Sequence, residues 1–120
     1  MDDTNLESED WEKYFDFPKQ RAIHRAVRLD PESGWDELRK MLCRRMWRRR
    51  DLDLRTDLVS DLMFWHADAF IDRVEELAAE CRHARDIIAM SHVGGRRETP
   101  GLTRYWALQQ SLQKGWKSRQ

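Results

Sequence analysis

The strongest hydrophobic pattern in the chain lies between Val59 and Ile88. Apolar side chains recur there at steps of three or four residues, and at about 100° per residue they share one side of an α-helix. We call these nine residues the core stripe: Val59, Met63, Ala67, Phe70, Val74, Leu77, Cys81, Ala84 and Ile88. No glycine or proline occurs from Trp35 to Val93. The pattern predicts one continuous helix, about 44 Å from the first stripe residue to the last at 1.5 Å per residue.

The two halves of this helix differ outside the core stripe. From Leu58 to Ile71, further apolar side chains occupy two other sides of the helix. They are Leu58, Leu62, Trp65 and Ala69 on one side and Phe64 and Ile71 on the other. From Asp72 onward the other sides are polar. We therefore expect other helices to enclose the first half and to cover the second half on one side only.

Two predicted helices precede the long one. The first runs from Lys19 to Leu29, and a turn from Asp30 to Gly34 follows it. In this turn either Asp30 caps a helix that has Pro31 at N1, or Ser33 caps one together with Asp36. The second predicted helix runs from Trp35 to about Arg50. Poor helix formers cluster between Asp51 and Thr56, and Thr56 is a good N-cap residue. We expect the chain to break there, although a second helix that continues into the long one is the alternative.

Beyond the long helix, Gly94 is its expected C-cap. Thr99 followed by Pro100 has the N-cap and N1 residues of a last helix, and Gly115 marks the end of that helix. The predicted fold is therefore all-α: a compact bundle of four main helices plus a short N-terminal helix, built around one long central helix. At 120 residues the chain fits a single domain over residues 1–120, with residues 1–7 and 117–120 as flexible ends.

Composition supports a folded helical protein. Charged residues make up 37% of the chain, and it has only five glycines and three prolines. No apolar run approaches the 18 residues of a membrane span, and the N-terminus has no apolar leader. The spacing of Cys43 and Cys81 does not make them a pair, so we expect a partly exposed thiol and a small buried side chain respectively. The prediction is a cytoplasmic protein in a reducing compartment.

Charge alternates in blocks along a chain whose net charge is zero. Residues 1–17 and 51–92 are acidic, each with a net charge of −6, whereas residues 18–50 and 93–120 are basic, at +7 and +5. Blocks of opposite sign can pair within a helical bundle. We expect such pairing to account for much of the basic surface.

The second predicted helix carries the first candidate partner-binding site. Trp47 lies roughly opposite the apolar side of that helix, among Lys40, Cys43, Arg44 and Arg50. The predicted contact set on this helix is Trp47 with Lys40, Arg44 and Arg48. An exposed tryptophan flanked by cations is typical of the residues that anchor protein interfaces. This pattern predicts contact with another protein, and a second copy of the chain is one such partner.

The acidic N-terminus carries the second candidate. Trp11, Tyr14 and Phe15 follow helical spacing and predict a short helix that ends before Pro18. Such a helix either packs on the bundle or enters the groove of a partner. Together the two candidates predict a non-enzymatic protein-binding module, an adaptor or inhibitor that occupies the surface of its partner. Small helical proteins of this kind are frequent among phage and viral accessory proteins, which is an association and not a sequence signal.

Nucleic-acid binding is the first alternative. The cations that would contact phosphate are Arg39, Lys40, Arg44, Arg45, Arg48, Arg49 and Arg50. Zero net charge and the neighbouring aspartates weaken this hypothesis, as does the lack of a recognisable nucleic-acid-binding motif.

A metal site is the second alternative, but a weaker one. Glu76, Glu80 and His83 would share one side of the long helix, yet the chain has no second Glu-x-x-His copy of the kind that di-iron bundles use. His66, at the edge of the core stripe, is expected to be a hydrogen-bonded core residue. We predict no catalytic residues, no cofactor and no metal, because no nucleophile motif or glycine-rich phosphate loop is present.

Overall fold

Five α-helices make up most of the chain that the computed structural model describes, which comprises residues 17–45, 49–94 and 98–119. In chain order they are α1 (Phe17–Leu29), α2 (Pro31–Cys43), α3 (Arg49–Glu80), α4 (Arg82–Met90) and α5 (Pro100–Arg119). These ranges contain no β-strand, so the predicted all-α bundle is confirmed. Within them, no helix combines the length and the apolar character that crossing a membrane requires.

The bundle is built around one long central helix, as predicted. α3 has 32 residues and packs against each of the other four helices. Every member of the core stripe is buried except Cys81, which is half-buried. α1 confirms the first predicted helix, with Ile23 and Val27 facing the core. Periodicity therefore identified the inward sides of these helices, because burial of apolar surface decides them.

The long helix begins earlier than predicted. α2 already ends at Cys43 and α3 starts at Arg49, so the chain breaks between them and not from Asp51 to Thr56. Thr56 lies inside α3, where its hydroxyl donates to the carbonyl oxygen of Leu52 at 3.0 Å. Differences in helix propensity among ordinary residues amount to at most about 0.7 kcal/mol each, and packing overrides them here.

A buried arginine fixes the position of this break. Arg55 is 0% exposed, and its Nε donates to Asp51 Oδ1 at 2.9 Å. Its two terminal nitrogens donate to the carbonyl oxygens of Arg44 and Arg45, at 2.5 and 3.4 Å. Those carbonyls lie just beyond the end of α2, where the helix supplies no further N–H donor. Arg55 thus ties the end of α2 to the start of α3.

The prediction of one continuous helix to Ile88 is wrong at Cys81. This residue has extended backbone angles (φ −117°, ψ 114°) and separates α3 from α4. It forms a disulfide with Cys43, the last residue of α2, and the two Cα atoms are 5.6 Å apart. The prediction of two unpaired cysteines is therefore also wrong, because pairing across 38 residues depends on folded positions that spacing does not reveal. The two cysteines therefore no longer support the prediction of a reducing compartment.

Side chains of α5 complete the end of α4. The C-cap of α4 is Ser91 and not Gly94. Gln109 Nε2 donates to the carbonyl oxygens of Ile88 and Ser91 at 2.9 and 2.6 Å. Tyr105 joins this buried network and donates to the Ile88 carbonyl at 3.3 Å. Burial raises the pKa of the Tyr105 hydroxyl above its usual value, because the phenolate form is disfavoured away from water.

α5 begins as predicted and ends later than predicted. The Leu102 amide donates to the hydroxyl of Thr99 at 3.2 Å, which is the expected N-cap contact. Leu102 is buried against the bundle, and α5 packs on both α3 and α4. The helix continues past Gly115 to Arg119, and no described glycine has a positive φ. Gly115 is therefore an ordinary helical residue.

Ion pairs between helices follow the charge blocks in part. Arg104 of α5 donates to Asp72 of α3 at 2.7 Å and also to Glu75. The hydrogen bonds to Glu75 and then Asp72 raise the pKa of the Arg104 guanidinium. Pairing between the 51–92 and 93–120 blocks is thereby confirmed. Arg73 of α3 makes two hydrogen bonds to Glu32 of α2, at 2.9 and 3.0 Å. In this pair the cation comes from the acidic block 51–92 and the carboxylate from the basic block 18–50.

Two glycines of α5 give a matched stability prediction. A Cβ atom at Gly101 would lie 2.5 Å from the backbone of Ala67 and Asp68, whereas one at Gly115 would meet no described atom within 4 Å. We expect Gly101→Ala to lower the free energy of unfolding by about 1–3 kcal/mol, since α5 must move off α3. Gly115→Ala should instead raise it by about 0.5–1 kcal/mol. Urea unfolding followed by circular dichroism measures both, and equal effects of the two variants would contradict the close approach.

Candidate functional site

α3 is bent where α1 ends against it. His66 has non-helical backbone angles (φ −138°, ψ 27°), and its Nε2 lies 2.6 Å from the carbonyl oxygen of Arg28. Because a carbonyl only accepts, Nε2 carries the proton and donates. Arg28 is in the last turn of α1, where carbonyls lack helical partners. The imidazole therefore caps α1, and the prediction that His66 is hydrogen-bonded is confirmed.

An aromatic and cationic surface lies beside this bend. Trp65 is 39% exposed, and the Arg28 guanidinium carbon is 4.6 Å from the centre of its ring. Phe64 packs edge-on against the same ring, with centroids 4.9 Å apart. Leu29, the last residue of α1, is 72% exposed. We call Arg28, Leu29, Phe64 and Trp65 the Trp65 surface.

The exposure of this surface corrects the expectation that other helices enclose the first half of the long helix. Trp65 and Ala69 are both exposed, although they belong to an apolar side of that half. α1 covers this side only as far as its own C-terminus at Leu29. Hydrophobic periodicity does not show where a neighbouring helix stops, so it could not distinguish Trp65 from a core residue.

A cleft opens at the bend next to Trp65. Its volume is about 190 Å³, similar to the ~150 Å³ cavity that accommodates benzene in an engineered protein core. The start of α5 forms the other wall. The lining side chains include Phe64, Trp65, His66, Asp68, Ala69, Thr99 and Leu102. A single apolar side chain of a partner fits a space of this size and character.

Charged residues flank the Trp65 surface in two parallel strips. On α1, Arg25 and Arg28 are exposed cations, and on α3 Asp57 and Asp61 precede Trp65 at helical spacing. His24 Nδ1 of α1 lies 3.6 Å from Asp61 Oδ2. The strips therefore run side by side, one basic and one acidic.

Much of the predicted partner-binding set falls on other parts of the chain. Trp47 and Arg48 lie outside the described residues, as do Trp11, Tyr14 and Phe15. Lys40 is exposed on α2. Arg44 is the half-buried C-cap residue of α2, with extended backbone. Because α2 ends at Cys43, Lys40 and Arg44 do not lie on one face of a continuous helix, and the involvement of the predicted set in binding stays a prediction.

The arginine-rich stretch 39–50 is not one helix. Arg39 and Lys40 belong to α2, Arg45 lies in the connection, and Arg49 begins α3. All four are exposed. Arg50 follows Arg49 in α3, but the structure does not describe its side chain. The predicted cationic helix is therefore replaced by a basic corner where two helices meet.

The three proposed metal ligands do not share a helix. Glu76 and Glu80 are exposed on α3, whereas His83 is half-buried on α4, beyond the break at Cys81. Across residues 17–45, 49–94 and 98–119, no three histidine, cysteine, aspartate or glutamate side chains are grouped as a metal site would need.

A second cleft of about 170 Å³ lies between α2 and α3, lined by Trp35, Arg39, Arg73, Glu76, Leu77 and Glu80.

Sequence reasoning missed Trp65, Arg28 and Leu29 as exposed residues of a candidate site. The available signal was weak: the excess of six tryptophans in 120 residues, and the position of Arg28 and Leu29 just before Asp30 and Pro31, where α2 begins. Comparison of the chain with protein family models, with curated proteins and with solved structures finds no match.

Proposed function

We propose that this chain is a non-enzymatic protein-binding module, an adaptor or inhibitor that occupies a partner's surface through the Trp65 surface. The observation that carries the proposal is the exposed tryptophan with an arginine stacked on it. Tryptophan and arginine are the residue types most enriched where alanine substitution costs a complex the most affinity. The stacking also holds both side chains in place before binding, which reduces the entropy lost on association.

The neighbouring features extend this surface into a binding site. Leu29 supplies exposed apolar area on one side, and the cleft lined by Phe64 and His66 accepts an apolar side chain on the other. Charged residues at Arg25 and Asp61 surround the apolar centre. An apolar centre within a polar rim is the usual anatomy of a protein interface.

Replacing Trp65 with alanine tests this proposal. We expect partner affinity to fall by at least about 30-fold, equivalent to the ~2 kcal/mol scale of dominant interface residues. A photo-crosslinking residue at Leu29 first captures the partner from cell extract, and titration of the purified partner then measures the affinity. The variant Trp65→Ala should retain the helical circular dichroism of the parent.

Met90 provides the matched control. It is 38% exposed, as Trp65 is 39% exposed, but it ends α4 and does not belong to the Trp65 surface. Met90→Ala should therefore leave the affinity within about twofold, since surface contacts outside the centre contribute little. Equal losses for the two variants, or unchanged affinity for Trp65→Ala, would overturn the proposed site. Trp47→Ala in the same assay tests the prediction made from the sequence.

Nucleic-acid binding is the second candidate, because four cations of the basic corner are exposed: Arg39, Lys40, Arg45 and Arg49. Phosphate contacts release counterions, so affinity for a short duplex should fall linearly on a log–log plot against salt. Fluorescence anisotropy with labelled DNA measures this slope. The double variant Arg39→Ala, Lys40→Ala should reduce the slope by about two. No binding at low salt would exclude this candidate.

A further inference from the structure

We infer that the partner of the Trp65 surface is a second copy of this chain, related by a twofold axis parallel to α1 and the first half of α3. This inference rests on the proposed function, because it names the occupant of the same surface. Three observations carry it. They are the relative direction of α1 and α3, the charges on the exposed sides of these helices, and the exposed apolar side chains of Trp65 and Leu29.

The first observation fixes the alignment of α1 with α3. His24 of α1 lies beside Asp61 of α3, and the Arg28 carbonyl lies beside His66. The partners in these two contacts are 37 and 38 positions apart in the chain. A constant offset means that the helices run in the same direction, with each α1 residue level with the α3 residue about 37 positions later.

The second observation is the opposite charge of the two exposed strips. α1 presents Arg25 and Arg28 to solvent, and α3 presents Asp53, Asp57 and the partly exposed Asp61. Packed helices lie about 8–10 Å apart, so the strips are separated by roughly one helix diameter. The surface is thus basic along one side and acidic along the other.

Symmetry then decides which residues meet. Rotation about an axis parallel to the helices keeps every residue at its own level and exchanges the two sides, so the basic strip of each copy lies on the acidic strip of the other. Arg25 is level with residue 62, and it therefore meets Asp61 of the partner subunit. Arg28 is level with Trp65 and meets Trp65 of the partner subunit.

The alternative twofold arrangement is unfavourable. An axis perpendicular to the helices within the contact plane would lay α1 on α1 and α3 on α3. Arg25 and Arg28 would then face cations, and Asp57 and Asp61 would face carboxylates, which costs free energy in a contact that excludes water. The charges therefore select the parallel arrangement. Trp65 and Leu29 supply the exposed apolar area that such a contact buries.

Charge exchange between two positions tests the inference. We expect the wild-type chain to sediment as a dimer at low salt, with a Kd that rises about tenfold or more at high salt because the rim pairs are screened. Arg25→Asp and Asp61→Arg should each make the protein monomeric at concentrations where the wild type is dimeric. The double variant Arg25→Asp, Asp61→Arg should regain the dimer, since the exchanged charges attract again.

Arg82→Asp is the matched control. Arg82 is an exposed arginine at the start of α4, outside the two charged strips. Its replacement by aspartate changes the charge as Arg25→Asp does, and a carboxylate is favourable at a helix N-terminus. This variant should dimerise as the wild type does. Circular dichroism confirms that each variant is folded, and sedimentation equilibrium measures its association.

The outcomes separate this inference from the proposed function. A wild-type monomer at all concentrations overturns the inference, as does a dimer that Arg25→Asp leaves intact or a double variant that stays monomeric while folded. If the chain is monomeric but the residue at Leu29 captures a different protein whose binding needs Trp65, the proposed function stands without the dimer. If neither copy nor other protein is captured, both fail.

Discussion

Replacing Arg55 with leucine is expected to lower the free energy of unfolding by about 3–5 kcal/mol, the range found when one partner of a buried ion pair is removed. Arg55 is fully buried and donates to Asp51 within α3. Leucine fills part of the space but leaves the Asp51 carboxylate buried without this cation. It also removes a donor from the carbonyl oxygens of Arg44 and Arg45. The end of α2 should loosen in consequence.

Two further variants identify the cause of this loss. The double variant Asp51→Asn, Arg55→Leu removes the buried charge as well, so it should recover a measurable part of the lost stability. Arg85→Leu, at an exposed position of α4, should change the free energy of unfolding by no more than about 0.5 kcal/mol. Urea unfolding followed by circular dichroism measures all three. A loss below about 1 kcal/mol for Arg55→Leu would show that the buried contacts of Arg55 do not hold this corner.

Arg55 also shows what the sequence could not predict. Asp51 and Arg55 stand at the i,i+4 spacing of an ion pair on a helix, but residues of this type are nearly always exposed, and periodicity alone assigns them to the surface. The local composition predicted a break at Asp51 to Thr56, because aspartate and threonine are poor helix formers. The folded positions of the Arg44 and Arg45 carbonyl oxygens, just beyond α2, help to make a buried arginine favourable beside Asp51.

The core stripe was predictable for the opposite reason. Burial of Val59, Met63 and Phe70 depends on helical phase, which neighbouring residues determine. The bend at His66 and the break at Cys81 each change the backbone at one residue while the apolar residues on both sides stay buried. Exposure of Trp65 depends instead on where α1 ends. The candidate site therefore arose from contacts between helices, to which periodicity is insensitive.

Breaking the disulfide between Cys43 and Cys81 is expected to lower the free energy of unfolding by about 4 kcal/mol, because the bond closes a loop of 38 residues that restricts the unfolded chain. The double variant Cys43→Ser, Cys81→Ser should show the same loss, and added thiol reductant should not change it further. Urea unfolding with and without reductant measures the difference. Two free thiols in the wild-type protein under oxidising conditions would contradict the disulfide. Equal stability of the wild-type protein with and without reductant would contradict its contribution to stability.

The bend at Cys81 should survive reduction, even though the core stripe continues through it. Joining α3 and α4 into one straight helix would gain about one helical residue but carry Ile87 and Ile88 away from the core. Both are 0% exposed, and burial of each contributes about 1.5–3 kcal/mol. The hydrogen bonds from Gln109 to the end of α4 would also be lost. We therefore expect the reduced protein to keep its helical circular dichroism while it unfolds at a lower urea concentration. A gain in helix content on reduction would mean that the disulfide, and not the packing of α4, imposes the bend.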